Sequence, residues 1–229
     1  DRGIGTIIEK LKNIGEFENT IIMFAADNGG CAEFLAEDSN QPNPNQFNNP
    51  GPDGKEVNFG NIPNLRPGPS DTFMSYDLPW ANLSNTPFRL FKRWVHEGGI
   101  STPFIVHWPE KITNHDIINT PVQFADISPT ILDICGSDYP KTYKSNEITP
   151  LEGESFARLF DGYEFNKSNP LFWEHEGNRA VRIGDWKLVS EFPGPWELYN
   201  ISEDRSETNN LINKEKGIAN NLQKKYEDW

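Results

Sequence analysis

Cysteine, histidine and long apolar runs are all scarce in this chain. Two cysteines in 229 residues, Cys31 and Cys135, give no support for a disulfide framework. Four histidines are present, and none has a partner at metal-ligand spacing; His-x-x-x-His is absent. No apolar run approaches the ~18 residues of a membrane span, and no signal peptide opens the chain. Basic charge is outweighed: 21 Lys and Arg stand against 34 Asp and Glu, a formal charge of −13. That balance disfavours nucleic acid and anionic membrane as partners. It leaves an anionic small substrate open, because a local cation or lysine pocket decides binding at close range.

What is present is globular. Apolar residues make up 35%, aromatics 12%, and there are seven tryptophans, enough for one good core or a domain with a small companion. The chain starts as if in mid-domain. Ile7, Ile8, Leu11 and Ile14 form an amphipathic stripe closed by Gly15, so a helix is expected over 4–14. A strand over 20–26 follows, apolar on both faces as in a sheet covered by helices on each side. The missing signal peptide is therefore no argument for a cytoplasmic home.

Residues 36–79 carry eight prolines and many Asn, Asp and Gly. They are expected to form a long irregular insertion, a type of segment that is usually functional or disordered. Pro103-Phe104-Ile105-Val106-His107-Trp108-Pro109 reads as a buried strand with His107 packed in the core. Ser128-Pro129 opens a helix that Gly136 stops. Composition changes at about 163, dividing a region 1–162 from a small subdomain 163–229. In the second, strands around Phe172, Val181, Leu188 and Leu198 are separated by turns at Glu176-Gly177-Asn178 and Gly184-Asp185. A polar helix is expected over 207–228. The fold class is α/β: part of a large mixed sheet flanked by helices, then a small antiparallel α+β subdomain.

Two stretches carry the chemistry. Ile21-Ile22-Met23-Phe24-Ala25-Ala26-Asp27-Asn28-Gly29-Gly30 runs an apolar strand into a carboxylate, an amide and two glycines. Asp27 and Asn28 are hard oxygen donors at a strand end, suited to Ca²⁺ or Mg²⁺. Asn-Gly is equally a turn signal on its own. Asn85 to Gly99 places Lys92 five residues ahead of Glu97-Gly98-Gly99. A lysine there suits an anionic ester group, although lysines are most often solvated surface residues; the apolar neighbours Phe88, Leu90, Phe91, Trp94 and Val95 favour the first reading. His96 beside that turn, and His175, Glu176, Asn178 and Arg179 on the later hairpin, are candidate contacts for sugar hydroxyls or a second anion. An exposed turn of mixed charge accounts for the hairpin cluster as well.

These motifs closely resemble the sulfatase family, the formylglycine-dependent sulfuric ester hydrolases of the alkaline-phosphatase-like superfamily. Asp126-Ile127-Ser128-Pro129-Thr130-Ile131-Leu132 matches a further family segment. The resemblance implies that Asp27 and Asn28 are two calcium ligands, with Mg²⁺ the lesser alternative, and that Lys92 contacts the sulfate. It implies a sulfated small molecule or polysaccharide as substrate and a periplasmic or extracellular location. The family's nucleophile signature, Cys or Ser followed by x-Pro/Ala-x-Arg, is absent. The chain is therefore expected to be the C-terminal part of such an enzyme, with formylglycine and the remaining ligands in an N-terminal half, and to fold poorly alone. Phosphatases and phosphonate monoester hydrolases of the same superfamily share the metal–lysine geometry, and a noncatalytic glycan-binding relative is the other alternative.

Overall fold

The computed structural model describes residues 1–35, 50–51 and 53–229. In chain order its principal elements are α1 (Arg2–Asn13), β1 (Ile22–Ala25), α2 (Asp77–Asn85), β2 (Phe104–His107), α3 (Ile127–Ile134), β3 (Leu171–His175), β4 (Asn178–Ile183), β5 (Trp186–Ser190), β6 (Trp196–Asn200) and α4 (Lys216–Asp228). The chain divides into two compact units. One comprises Asp1–Ala25 and Phe104–Pro170, the other Ala26–Pro103 and Leu171–Trp229.

In the first unit β1 and β2 pair antiparallel, Ile22 opposite His107 and Ala25 opposite Phe104. Side chains alternate across a strand. Ile21, Met23, Phe104, Val106 and Trp108 accordingly pack on a cluster of Phe156, Phe160 and Phe165. Phe104 and Phe160 each meet Phe156 edge to face, with ring centroids 5.8 Å apart in both pairs. The opposite face is not covered as expected. Phe24 and Ile105 are 48% and 58% exposed. His107 shares the parity of Ile105, so it too is exposed rather than packed in the core, with its ring 5.1 Å from Phe17. The alternation holds, but among the described residues only one face has a covering layer.

Asp126 is the polar anchor of this unit. It is fully buried, its carboxylate accepts the N–H groups of Gln123 and Glu154, and it pairs with Lys167. Gly153 is obligatory beside it, because a Cβ there would meet the Ala125 carbonyl oxygen at 2.0 Å.

The second unit is built on a four-stranded antiparallel meander, in the order β6-β5-β4-β3. Its two faces bury different partners. Trp173, Ala180, Val189, Tyr199 and Ile201 pack with Val95 and Ile100 of the Lys92 segment. Phe172, Val181, Leu188 and Leu198 pack with Ala219, Leu222 and Tyr226 of α4. The helix is shorter than the 207–228 expected from its apolar stripe. Upstream of it, side chains bind backbone in place of helical bonds: Asp204 accepts the N–H of Thr208 and Asn209, and Asn210 accepts those of Leu198 and Ile212.

The 36–79 insertion falls partly on residues 36–49 and 52, which lie outside the described ones. The remainder is not wholly irregular. Asn58–Phe59 pairs parallel with Thr72–Phe73, and the Phe59 and Phe73 rings stack at 5.1 Å. α2 then begins at Asp77. No helix among the described residues is long and apolar enough to cross a membrane.

Candidate active site

The two motifs, separated by about sixty residues of chain, meet in the second unit. The Lys92 N–H donates to the Gly30 carbonyl at 3.1 Å, and the Gly29 N–H to the Gly99 carbonyl at 3.0 Å. Asn85 closes the third side: its Oδ1 accepts the Gly30 N–H at 3.0 Å, and its Nδ2 donates to the Leu90 carbonyl at 3.2 Å. The glycines are required by these contacts. A Cβ on Gly29 would lie 1.9 Å from the Gly98 oxygen, and one on Gly98 would lie 2.1 Å from that of Leu90. Backbone against backbone at this distance leaves room for hydrogen alone.

Asp27 is exposed, and Asn28 is partly buried. The Asn28 Nδ2 donates to the Gly29 carbonyl at 2.9 Å, which leaves Oδ1 as the free oxygen of that amide. A carboxylate and an amide oxygen side by side fit a hard divalent cation. They are two donors, against the roughly six to eight oxygens that calcium takes. No group of three or more His, Cys, Asp and Glu capable of holding a metal exists among the described residues. Lys92 presents its ammonium to solvent, 3.8 Å from Glu33 Oε1.

Behind the Lys92 segment lies a buried charge network that sequence reasoning missed. Lys187 Nζ sits 2.9 Å from Glu97 Oε1 and 2.8 Å from Glu207 Oε1. Glu207 Oε2 accepts the Glu97 backbone N–H at 2.8 Å. Burial pushes the Glu97 carboxyl up, but Lys187, with Arg182 and Arg205 further off, outweighs it and holds the group below its ordinary value. Burial raises Glu207 above its ordinary value, and Lys187 only partly offsets it. A second cluster joins Arg89 Nη1 to Glu197 Oε2 at 2.7 Å, and the Tyr199 hydroxyl donates to the same oxygen at 2.9 Å.

His96 is fully buried between these clusters, so it meets no solute, and neither ring nitrogen has a hydrogen-bond partner among the described residues. Burial, then the charges of Lys187 and Arg89, lower its pKa to about 4. The hairpin residues divide by strand parity. On the side facing the Lys92 segment, Asn178 Oδ1 accepts the Phe192 N–H at 3.0 Å and Glu176 Oε2 meets Arg93 Nε at 2.7 Å. His175 is exposed nearby in sequence. Arg179 belongs to the opposite parity. Its guanidinium lies over the Trp196 ring at 4.4 Å, on the face that α4 covers, and the structure does not bring it to Lys92.

An apolar strand thus ends in two oxygen donors, and its glycines are bonded to the segment that carries Lys92. The chain belongs to the sulfatase family: the family described as Sulfatase matches residues 1–137, and the one described as N-sulphoglucosamine sulphohydrolase, C-terminal, matches residues 88–229. An uncharacterized sulfatase of Schizosaccharomyces pombe is 31% identical over 97% of this chain and 40% of its own length. An arylsulfatase of Klebsiella aerogenes is 30% identical over 69% of this chain and 32% of its own. Among solved structures, Ps i-CgsB in complex with k-i-k-neocarrahexaose superposes with a TM-score of 0.67 at 23% identity, covering 100% of this chain and 40% of that one. The chain thus spans about two fifths or less of these relatives.

Proposed function

We propose that this chain supplies the cation-binding and sulfate-binding part of a sulfate ester hydrolase, which yields an alcohol and inorganic sulfate. The observation that supports this is the backbone bond from Lys92 to Gly30, which ties the Lys92 segment to the stretch that carries Asp27 and Asn28. In this reading Asp27 and Asn28 hold a calcium ion, with the remaining oxygens supplied from outside the 229 residues. Bound there, such a cation supplies Lewis-acid charge stabilisation to a sulfate oxygen. Lys92 binds a non-bridging sulfate oxygen, and its ammonium balances the charge that shifts onto the ester in the transition state. Glu97 and the glycine turn hold the Lys92 segment in place from behind. The attacking group, formylglycine by family resemblance, and the acid that protonates the leaving alcohol lie outside these residues. Sulfated carbohydrate or aryl sulfate is the substrate class.

The test is a competition among esters, run on the full-length protein that carries this chain. Sulfate release from aryl sulfates and sulfated saccharides is expected to exceed turnover of the matching phosphate and phosphonate esters. Dominant phosphoester or phosphonate turnover would sink the reading.

A further inference from the structure

A cleft of about 320 Å³ opens in the second unit between Glu191, Phe192, Pro193, Gly194, Pro195 and Glu197. Its volume is at the small end of ligand pockets, which run from about 300 to 1,000 Å³. Its floor and rim are nonetheless built. The Phe192 N–H is held by Asn178, and the Gly194 carbonyl accepts the Ser190 hydroxyl at 2.9 Å. The Gly194 N–H turns back onto the Glu191 carbonyl. The Phe192 ring rests on Gly177, where a Cβ would meet ring atoms at 2.7 Å. Its other side is open, and the residue is 63% exposed.

The cleft is also tied to the candidate site. Gly177, under Phe192, follows Glu176, whose carboxylate pairs with Arg93, the neighbour of Lys92. Glu197 lies on the same sheet face as the Lys92 segment and bonds Arg89. The charges in the lining are those of two carboxylates, Glu191 and Glu197, with no cation among them. The nearby guanidiniums of Arg89 and Arg93 are already paired with Glu197 and Glu176. A sulfate or phosphate group is therefore disfavoured in the cleft itself. An aromatic face beside carboxylate acceptors suits a ligand with one apolar C–H face and several hydroxyl donors.

We propose that this cleft is a subsite for an unsulfated sugar ring, linked to the ring whose sulfate reaches Lys92. The link to Lys92 rests on the sulfate ester reading; the affinity for a neutral sugar does not. Phe192 packs against the ring face, and the Glu191 carboxylate and the remaining Glu197 oxygen accept its hydroxyls. The same lining would also attract an ammonium group, so amine binding is the competing outcome.

The experiment is saturation-transfer NMR on the full-length protein with cellobiose, lactose and diacetylchitobiose as neutral probes and ethanolamine as the amine. Transfer to at least one disaccharide is expected. It should weaken about tenfold, close to 1.4 kcal/mol, on Phe192→Ala, fall on Glu191→Gln, and persist on Lys92→Ala. Phe192 and Glu191 are both exposed, and a circular dichroism spectrum checks that each variant folds. No transfer to any disaccharide, transfer indifferent to Phe192→Ala, or transfer to ethanolamine alone overturns the proposal. A protein that binds neutral sugar yet releases no sulfate keeps the sugar site and loses the sulfatase reading. One that releases sulfate and binds no sugar does the reverse.

Discussion

Lys187 Nζ lies 2.9 Å from Glu97 Oε1 at a point where neither side chain touches water in any measure that matters, at 0% and 3% exposure. A lysine in β5 thereby fixes the turn whose Gly99 carbonyl accepts the Gly29 N–H. Removing the ammonium leaves Glu97 and Glu207 buried together, with the half-exposed Arg205, 3.7 Å from Glu97 Oε2, as the remaining ion-pair partner. Breaking a buried pair from one side costs about 3–5 kcal/mol, whereas replacing all partners with neutral groups costs much less. Lys187→Met is expected to destabilise the protein by that amount in urea unfolding. Lys187→Met combined with Glu97→Gln and Glu207→Gln should recover much of the loss; a triple variant as unstable as the single one would contradict the account.

The glycine contact makes a second prediction. Gly29→Ala pushes a methyl carbon to 1.9 Å from the Gly98 carbonyl oxygen, and both sides are backbone. Neither can rotate away as a side chain would. The variant is expected to lose about 1–3 kcal/mol, the range for overpacking. Gly217→Ala on α4, with nothing within 4 Å of the new carbon, should be neutral or slightly stabilising. Equal melting temperatures for the two variants would refute the close approach.

His96 predicts how stability depends on pH. Its folded pKa, about 4, lies below the ordinary 6.5, so the unfolded chain binds the proton more tightly. Its contribution is therefore present above pH 6.5 and is lost progressively as pH falls toward 4. The shift corresponds to roughly 3 kcal/mol. The charges that act on the ring are those of Lys187 and Arg89, which oppose its protonation, and of Glu197, which favours it. His96→Gln should flatten the stability profile between pH 6.5 and 4, as measured by urea midpoints. A slope unchanged by the substitution would place the acid sensitivity elsewhere.

The meander was legible because alternation and turn residues agree locally: Glu176-Gly177 and Gly184-Asp185 stand at the bends that the strands make. The stretch after Asp27-Asn28 meets the Lys92 segment through Gly29 and Gly30, and the glycines that permit it are plain in the sequence. The buried network was not legible. In Trp186-Lys187-Leu188-Val189-Ser190 a lysine reads as a solvent-facing residue, and its burial depends on Glu97, 90 residues away. The face of Arg179 needed the strand register. His107 was misread because an apolar run does not say which of its faces is covered.

The last prediction concerns the pair of functions assigned to the meeting of the two motifs. If Asp27 and Asn28 hold a cation that binds the folded protein alone, saturating calcium raises stability by mass action, about 2.7 kcal/mol at a hundredfold excess over Kd. The full-length protein should then melt higher in calcium than in chelator, and Asp27→Ala should remove most of that difference. Lys92 supplies no oxygen to a cation, so Lys92→Ala should leave the calcium response intact. Its cost should fall on sulfate release instead, by about 10² to 10³ in kcat, the scale of one lost electrostatic contact in a transition state. The division of effects is the informative result. A Lys92→Ala variant that loses calcium-dependent stability as fully as Asp27→Ala would mean that the lysine only supports the loop.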